Sequence, residues 1–161
     1  MRTRLRVVVG VALILAGFSV GTALHAQGSD PAVGTWKLNV AKSKSSPGPV
    51  AKSGTFTVEA TPQGRKNTSD SVSATGVQTH SEYVARFDGK DTPIKGDPTL
   101  DTIALKLINE STYERTAKKA GKVVQTMTVV VAKDGRSLTI NTKGTDDQGR
   151  AYSSTGFYDK Q

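Results

Sequence analysis

The 161-residue chain predicts an all-β fold, a single antiparallel up-and-down β-barrel of about eight to ten strands. Two observations carry that reading. Turn-forming residues recur at short, even gaps, and the stretches between them are rich in threonine, valine and serine, with apolar and polar residues alternating.

The turns fall at Pro62-Gln63-Gly64, Thr75-Gly76, Asp88-Gly89, Gly96-Asp97-Pro98, Asn109-Glu110-Ser111, Lys119-Ala120-Gly121, Asp134-Gly135 and Asp147-Gln148-Gly149. Glycine and asparagine accept the positive φ that tight hairpins demand, so this rhythm marks strand following strand. Trp36, Leu38 and Val40 alternate with Lys37 and Asn39, and Phe56, Val58 and Ala60 with Thr57 and Glu59. Tyr83, Ala85 and Phe87 keep the same beat, as do Ile103, Leu105 and Leu107, and Leu138 with Ile140. A period of two puts one face on a core and the other in water.

Strands are therefore expected at 35–40, 53–61, 65–74, 78–87, 91–95, 100–108, 112–118, 123–132, 137–144 and 150–158. The run Val129-Val130-Val131 suggests a strand covered on both faces, or an edge strand packed on a neighbour. By contrast, 65–74 offers only Val72 and Ala74 as inward candidates and reads as weakly held. Residues 41–52, with Ser45-Ser46-Pro47-Gly48-Pro49, read as a long mobile loop. So many short strands avoid exposed edges best by closing on themselves.

Residues 1–26 read as a cleaved export signal. Arg2, Arg4 and Arg6 precede the apolar stretch Val7–Val20, and small residues place the cut after Ala26 or Ala23. The apolar run is short for a helix crossing roughly 30 Å of hydrocarbon. The mature chain then comprises a flexible lead-in, 27–33, and one domain, 34–161, expected to be periplasmic or secreted. With no cysteine in the chain, packing and hydrogen bonds alone must hold the domain.

The 22 basic and 14 acidic residues leave a mildly basic chain once the three leader arginines are removed. The charges are scattered, often beside opposite partners as in Glu114-Arg115, without the basic face and stacking aromatics of a nucleic-acid binder. His80 is the one imidazole outside the leader and falls on the outer face with Gln78 and Glu82. No catalytic residue, metal site or cofactor is expected, because the chain shows neither a nucleophile elbow nor a ligand cluster around His80. Stable membrane insertion is not expected either, since aromatics are too few for the girdles of an outer-membrane barrel.

Gly34-Thr35-Trp36-Lys37-Leu38-Asn39 resembles the opening strand of the calycins, the lipocalins and fatty-acid-binding proteins. There a Gly-x-Trp sets an indole across the closed end of the barrel, and the resemblance implies that Gly34 and Trp36 form a structural plug in the floor. The tail Thr155-Gly156-Phe157-Tyr158-Asp159-Lys160 is similar to the last strand of fatty-acid-binding proteins. Most of 34–161 resembles uncharacterised exported bacterial lipocalin-like proteins, through that opening, Phe87-Asp88-Gly89-Lys90 and Lys143-Gly144-Thr145-Asp146. Two departures stand out. Residues 41–52 are too short and too rich in proline and glycine for the helical lid of fatty-acid-binding proteins. Gly156 occupies the place of the arginine that clamps their ligand's carboxylate, so Arg150, Arg115 or Arg86 would have to supply the charge.

The functional expectation is an exported barrel that binds a small apolar or amphipathic ligand in its interior, lined by Phe56, Tyr83, Phe87, Leu105, Met127 and Tyr152. Small inward residues, Gly54, Ala60, Ala74, Ala85 and Gly144, permit a cavity. The alternative is a structural or interaction domain of the cell envelope with a filled barrel and no ligand.

Overall fold

The computed structural model describes residues 30–161; the leader and its cleavage site lie outside the described residues. Eleven strands succeed one another: β1 (Gly34–Leu38), β2 (Lys44–Ser46), β3 (Ser53–Thr61), β4 (Gly64–Val72), β5 (Gln78–Ala85), β6 (Thr92–Pro93), β7 (Thr102–Asn109), β8 (Thr112–Lys119), β9 (Lys122–Val131), β10 (Ser137–Thr145) and β11 (Ala151–Lys160). All ten expected segments are strands.

Ten of them form one antiparallel sheet in the order β5-β4-β3-β1-β11-β10-β9-β8-β7-β6. Neighbours in sequence are neighbours in space except at β1, which lies between β3 and β11. The sheet curls until its ends meet: the amide of Glu82 donates to the carbonyl of Lys95, and that of Lys95 to the carbonyl of Glu82, each at 3.0 Å. A second tie joins Gly89 to Leu105. The result is an up-and-down barrel, nearly closed and compatible with a lipocalin-like or calycin-like architecture.

The closing ladder is short for a chemical reason. Two residues beyond the Glu82–Lys95 pair, the same register would set Pro93 opposite Val84, and proline has no N–H to give. Gly96 brings the two ends together: its φ is +85°, and a Cβ there would collide with the His80 carbonyl oxygen. No other residue type meets both conditions without a shift of the β5 backbone.

Inside, the alternation read from the sequence holds for most strands; Val40 leaves it because the chain enters a 3-10 turn there, Ala74 lies beyond the end of β4, and Ala60 and Leu107, near strand ends, are exposed. Trp36, Phe56, Val58, Tyr83, Ala85, Ile103, Leu105, Tyr113, Ala117, Val129, Val131 and Leu138 are buried in one cluster. Trp36 is fully buried near one end, which we call the floor. Its Nε1 donates to the carbonyl of Ala32 at 2.8 Å, and its ring stacks on Phe56 at 6.4 Å between centroids. Asp30–Val33, the described part of the lead-in, lies against this floor, with Ala32 fully buried.

Three local readings are corrected. β4 is firmly paired on both sides, and its inward residues are Arg65 and Asn67, both buried, while Val72 has the opposite parity. Polar side chains turn inward here because partners meet them there. The stretch expected to be a loop contains a 3-10 turn, Val40–Lys42, and strand β2 paired with Ser153–Thr155 of β11. Ser43 makes that possible, its hydroxyl donating to the Asn39 carbonyl and accepting from the Phe157 amide. The triple valine of β9 is not covered on both faces: Val129 and Val131 are buried, and Val130 is exposed on the outer wall.

Gly96→Ala should destabilise the barrel by about 1–3 kcal/mol through strain at a positive φ and a clash with β5. Gly135→Ala, also at positive φ but with open space around it, should cost less. Urea unfolding of the two variants checks the difference, and amide exchange at Glu82 and Lys95 should accelerate in the first alone.

Candidate functional site inside the barrel

The floor half of the interior is packed with rings. Phe56 meets Tyr158 edge-on at 5.1 Å, and Phe87 meets Tyr113 edge-on at 5.6 Å. Arg65 enters among them with its guanidinium 4.2 Å from the Tyr113 ring centroid and 5.8 Å from that of Phe87. Its Nη2 donates to the Tyr113 hydroxyl at 2.6 Å, and its Nη1 to the Asp30 carboxylate at 3.1 Å. A buried guanidinium is tolerable only when its charge is met, and this one has a carboxylate and two π-faces.

Towards the other end the lining turns polar. Register puts Ser69 and Ser81 beyond Phe56, and Ser71 and Thr79 beyond Gly54, on the same inward face. Across the barrel, Arg115, Met127, Thr142 and Ser154 form one row and Ala117, Gln125, Gly144 and Tyr152 the next. Tyr152 folds over Gly144, where a Cβ would come within 2.7 Å of the tyrosine ring. Glycine at 144 therefore gives the ring its seat.

This second row holds a connected set of polar groups. Arg115 Nη2 donates to Gln125 Oε1, and Gln125 Nε2 donates to the Tyr152 hydroxyl at 2.8 Å. The guanidinium also sits 6.0 Å from the Tyr83 ring centroid. Nε of Arg115 is buried with no hydrogen-bond partner, and no carboxylate of the described residues lies within salt-bridge distance. Because Gln125 donates to it, the Tyr152 oxygen keeps its own proton free to give. The interior thus offers an unneutralised cation and two unused donors.

The six residues expected to line a ligand are distributed along the barrel. Phe56, Tyr83 and Leu105 are buried in the core cluster, and Phe87 is half-buried against it. Met127 lies opposite Arg115 in register, and Tyr152 closes the polar relay. Phe56 and Phe87 belong to the floor half, Tyr83 and Leu105 bridge the halves, and Met127 and Tyr152 belong to the polar half. Gly34 and Trp36 stand at the floor, where Lys160 lies over the indole at 5.2 Å and a Cβ on Gly34 would strike that lysine's side chain. Arg115 and Gln125 were not among the expected lining residues. The cue was available in their parity, since both alternate with residues of the outer wall alongside Tyr113 and Ala117.

Two open grooves lie on the outer wall. One, of about 630 Å³, is lined by Lys44, Ser46, Thr126, Asn141, Lys143 and Ser153; the other, of about 590 Å³, by Lys66, Glu82, Val84, Pro93 and Lys95 among others. Both are shallow and charged or hydroxyl-lined, unlike a site that encloses a small apolar molecule. His80 is also outside, its Nδ1 2.7 Å from the Asp70 carboxylate, with both side chains more than half exposed. Among the described residues no helix is long and apolar enough to cross a membrane.

Comparison of the chain with protein-family models, curated proteins and solved structures gives no match. The chemistry of the interior therefore rests on its own residues.

Burial pushes the Tyr113 hydroxyl far above its ordinary range, and the nearby Arg65 charge offsets this only in part. Burial raises Tyr158 in the same direction. The folded barrel keeps protons that the unfolded chain gives up near pH 10, so this stability is full below about pH 10 and is lost as pH rises further. Thermal melts at pH 9, 10 and 11 should show Tm falling, with Tyr113→Phe flattening part of the fall.

Proposed function

We propose that the protein is an exported binding module that holds a small amphipathic molecule in its barrel, with the acidic end of that molecule at Arg115. The observation that carries this reading is the buried Nε of Arg115, which has neither a hydrogen-bond partner nor a nearby carboxylate among the described residues. A half-buried cation whose Nε is shielded from water has an unmet donor, so an incoming anion gains more there than at a fully exposed arginine. Gln125 holds the guanidinium in place, and the free proton of Tyr152 supplies a further donor to the same head group. Met127, half-buried in the same row, offers apolar surface to the tail, and methionine adapts its shape at little cost.

A second reading, a filled barrel acting through its outer surface, draws support from the density of the floor half, where Trp36, Phe56 and Tyr158 already interlock. Titration separates the two.

Dodecanoate and dodecanol should be titrated against the protein while calorimetry and the emission of Trp36 are monitored. Dodecanoate should bind more tightly than dodecanol. Arg115→Gln should weaken dodecanoate about tenfold or more, roughly 1.4 kcal/mol, and leave dodecanol nearly unchanged. Lys143→Gln, which removes an outer-wall charge, should change neither. Absence of binding by both compounds, or an equal loss in the two variants, would favour the filled barrel.

A further inference from the structure

At the floor, beside Tyr113, a second cation is handled differently. The Arg65 side chain is 4% exposed, and its only carboxylate among the described residues is Asp30, whose own side chain is 22% exposed. Asp30 is not part of the barrel wall. It belongs to the strap Asp30–Val33, which precedes β1 and crosses the floor.

The strap is held by few polar ties. Asp30 reaches Arg65, and the Ala32 carbonyl accepts from Trp36 Nε1. Asp30 is also divided in its use. Oδ2 meets Arg65 Nη1, while Oδ1 turns back at 2.9 Å to accept from the Ala32 amide within the strap. The guanidinium therefore receives one carboxylate oxygen, although its planar fork matches two. Its Nε is buried and makes no hydrogen bond. Tyr113 fixes the other end through Nη2, and the faces of Tyr113 and Phe87 hold the guanidinium plane in position.

We infer that the barrel floor contains a carboxylate-binding site, centred on Arg65 and walled by Tyr113 and Phe87, that the strap fills in cis with Asp30. Asp30 acts as a tethered stand-in for a free carboxylate, and the strap as a removable cover over the floor. The ligand class is a carboxylate small enough to pass where Asp30 now reaches the surface, or the carboxylate end of a flexible chain. An untethered carboxylate does not need to cap Ala32, so both of its oxygens are free to turn to the Nη1 end of the guanidinium, which Asp30 meets with one.

Chemical rescue tests this. Asp30→Ala should lower Tm by roughly 5 °C or more, the scale expected when one partner of a buried ion pair is removed. Addition of 100 mM formate should recover at least half of that loss, and 100 mM chloride should recover much less. The double variant Asp30→Ala/Arg65→Met should gain no more from formate than the unsubstituted protein, whose own response reports any formate held at Arg115. Equal recovery in formate and chloride, or a gain in the double variant beyond that of the unsubstituted protein, would overturn the assignment. Should Asp30→Ala not fold, Asp30→Ser keeps a hydroxyl near the Ala32 amide and vacates the space at Arg65 Nη1. In that variant, a saturable shift of the Arg65 guanidinium resonances on formate titration supports the site, and its absence refutes it. Neither readout depends on dodecanoate binding at Arg115, so the two sites stand or fall separately.

Discussion

A sheet of ten strands has two edges, and in a chain without cysteine nothing covalent brings them together. The mutual hydrogen bonds of Glu82 and Lys95 do so, supported by the close approach of Gly96 to β5. Every inward side chain depends on that meeting. Were the sheet to lie open, the faces carrying Phe56, Tyr83, Leu105 and Val129 would be wetted, and the burial that stabilises the fold would be lost. Closure also creates the second property of the molecule, an interior in which charge is no longer screened by water.

That interior is divided. The floor half is apolar and aromatic, and the one cation within it is neutralised by Asp30 and held between π-faces. The other half carries hydroxyls, a glutamine and a cation with no counter-charge. The two arginines occupy equivalent roles in the wall, each inward on a strand whose flanking outward residues are solvated. They differ in whether the chain brings a carboxylate to them. Arg65 receives one because the residues before β1 cross the floor; Arg115 receives none from the described residues, since its neighbours in the same row are Met127 and Thr142.

Most of the architecture was legible in the residues. Turn chemistry and the period of two gave the ten wall strands and the correct parity of Trp36, Phe56, Tyr83, Leu105 and Leu138, because apolar alternation reports burial directly. Failure came where burial and polarity part company. Arg65 and Asn67 read as outward by type, and only a partner 35 residues earlier in the chain, Asp30, makes the inward position of Arg65 tenable. β2 was hidden for a related reason. Its pairing is held by the Ser43 hydroxyl and by β11, more than a hundred residues away, and neither leaves a local pattern. In the candidate site, the apolar and aromatic members were accessible to alternation; Arg115 was one of three arginines the departure at Gly156 pointed to, with nothing in the sequence to choose among them, and Gln125 carried no cue by type because long polar side chains default to solvent in such a reading.

The position of β1 carries one more consequence. It is flanked by β3 on one side and by β11 on the other, so the first strand made is completed by the last. Hairpins from β3 to β10 join neighbours in the chain and can form as they appear, while this contact spans nearly the whole domain and sets a slow, late step. A polypeptide emerging amino end first thus holds Trp36 uncovered on one side until Tyr158 and Lys160 are free. Such a chain keeps two unpaired edges until its final strand is made, and then becomes a closed body.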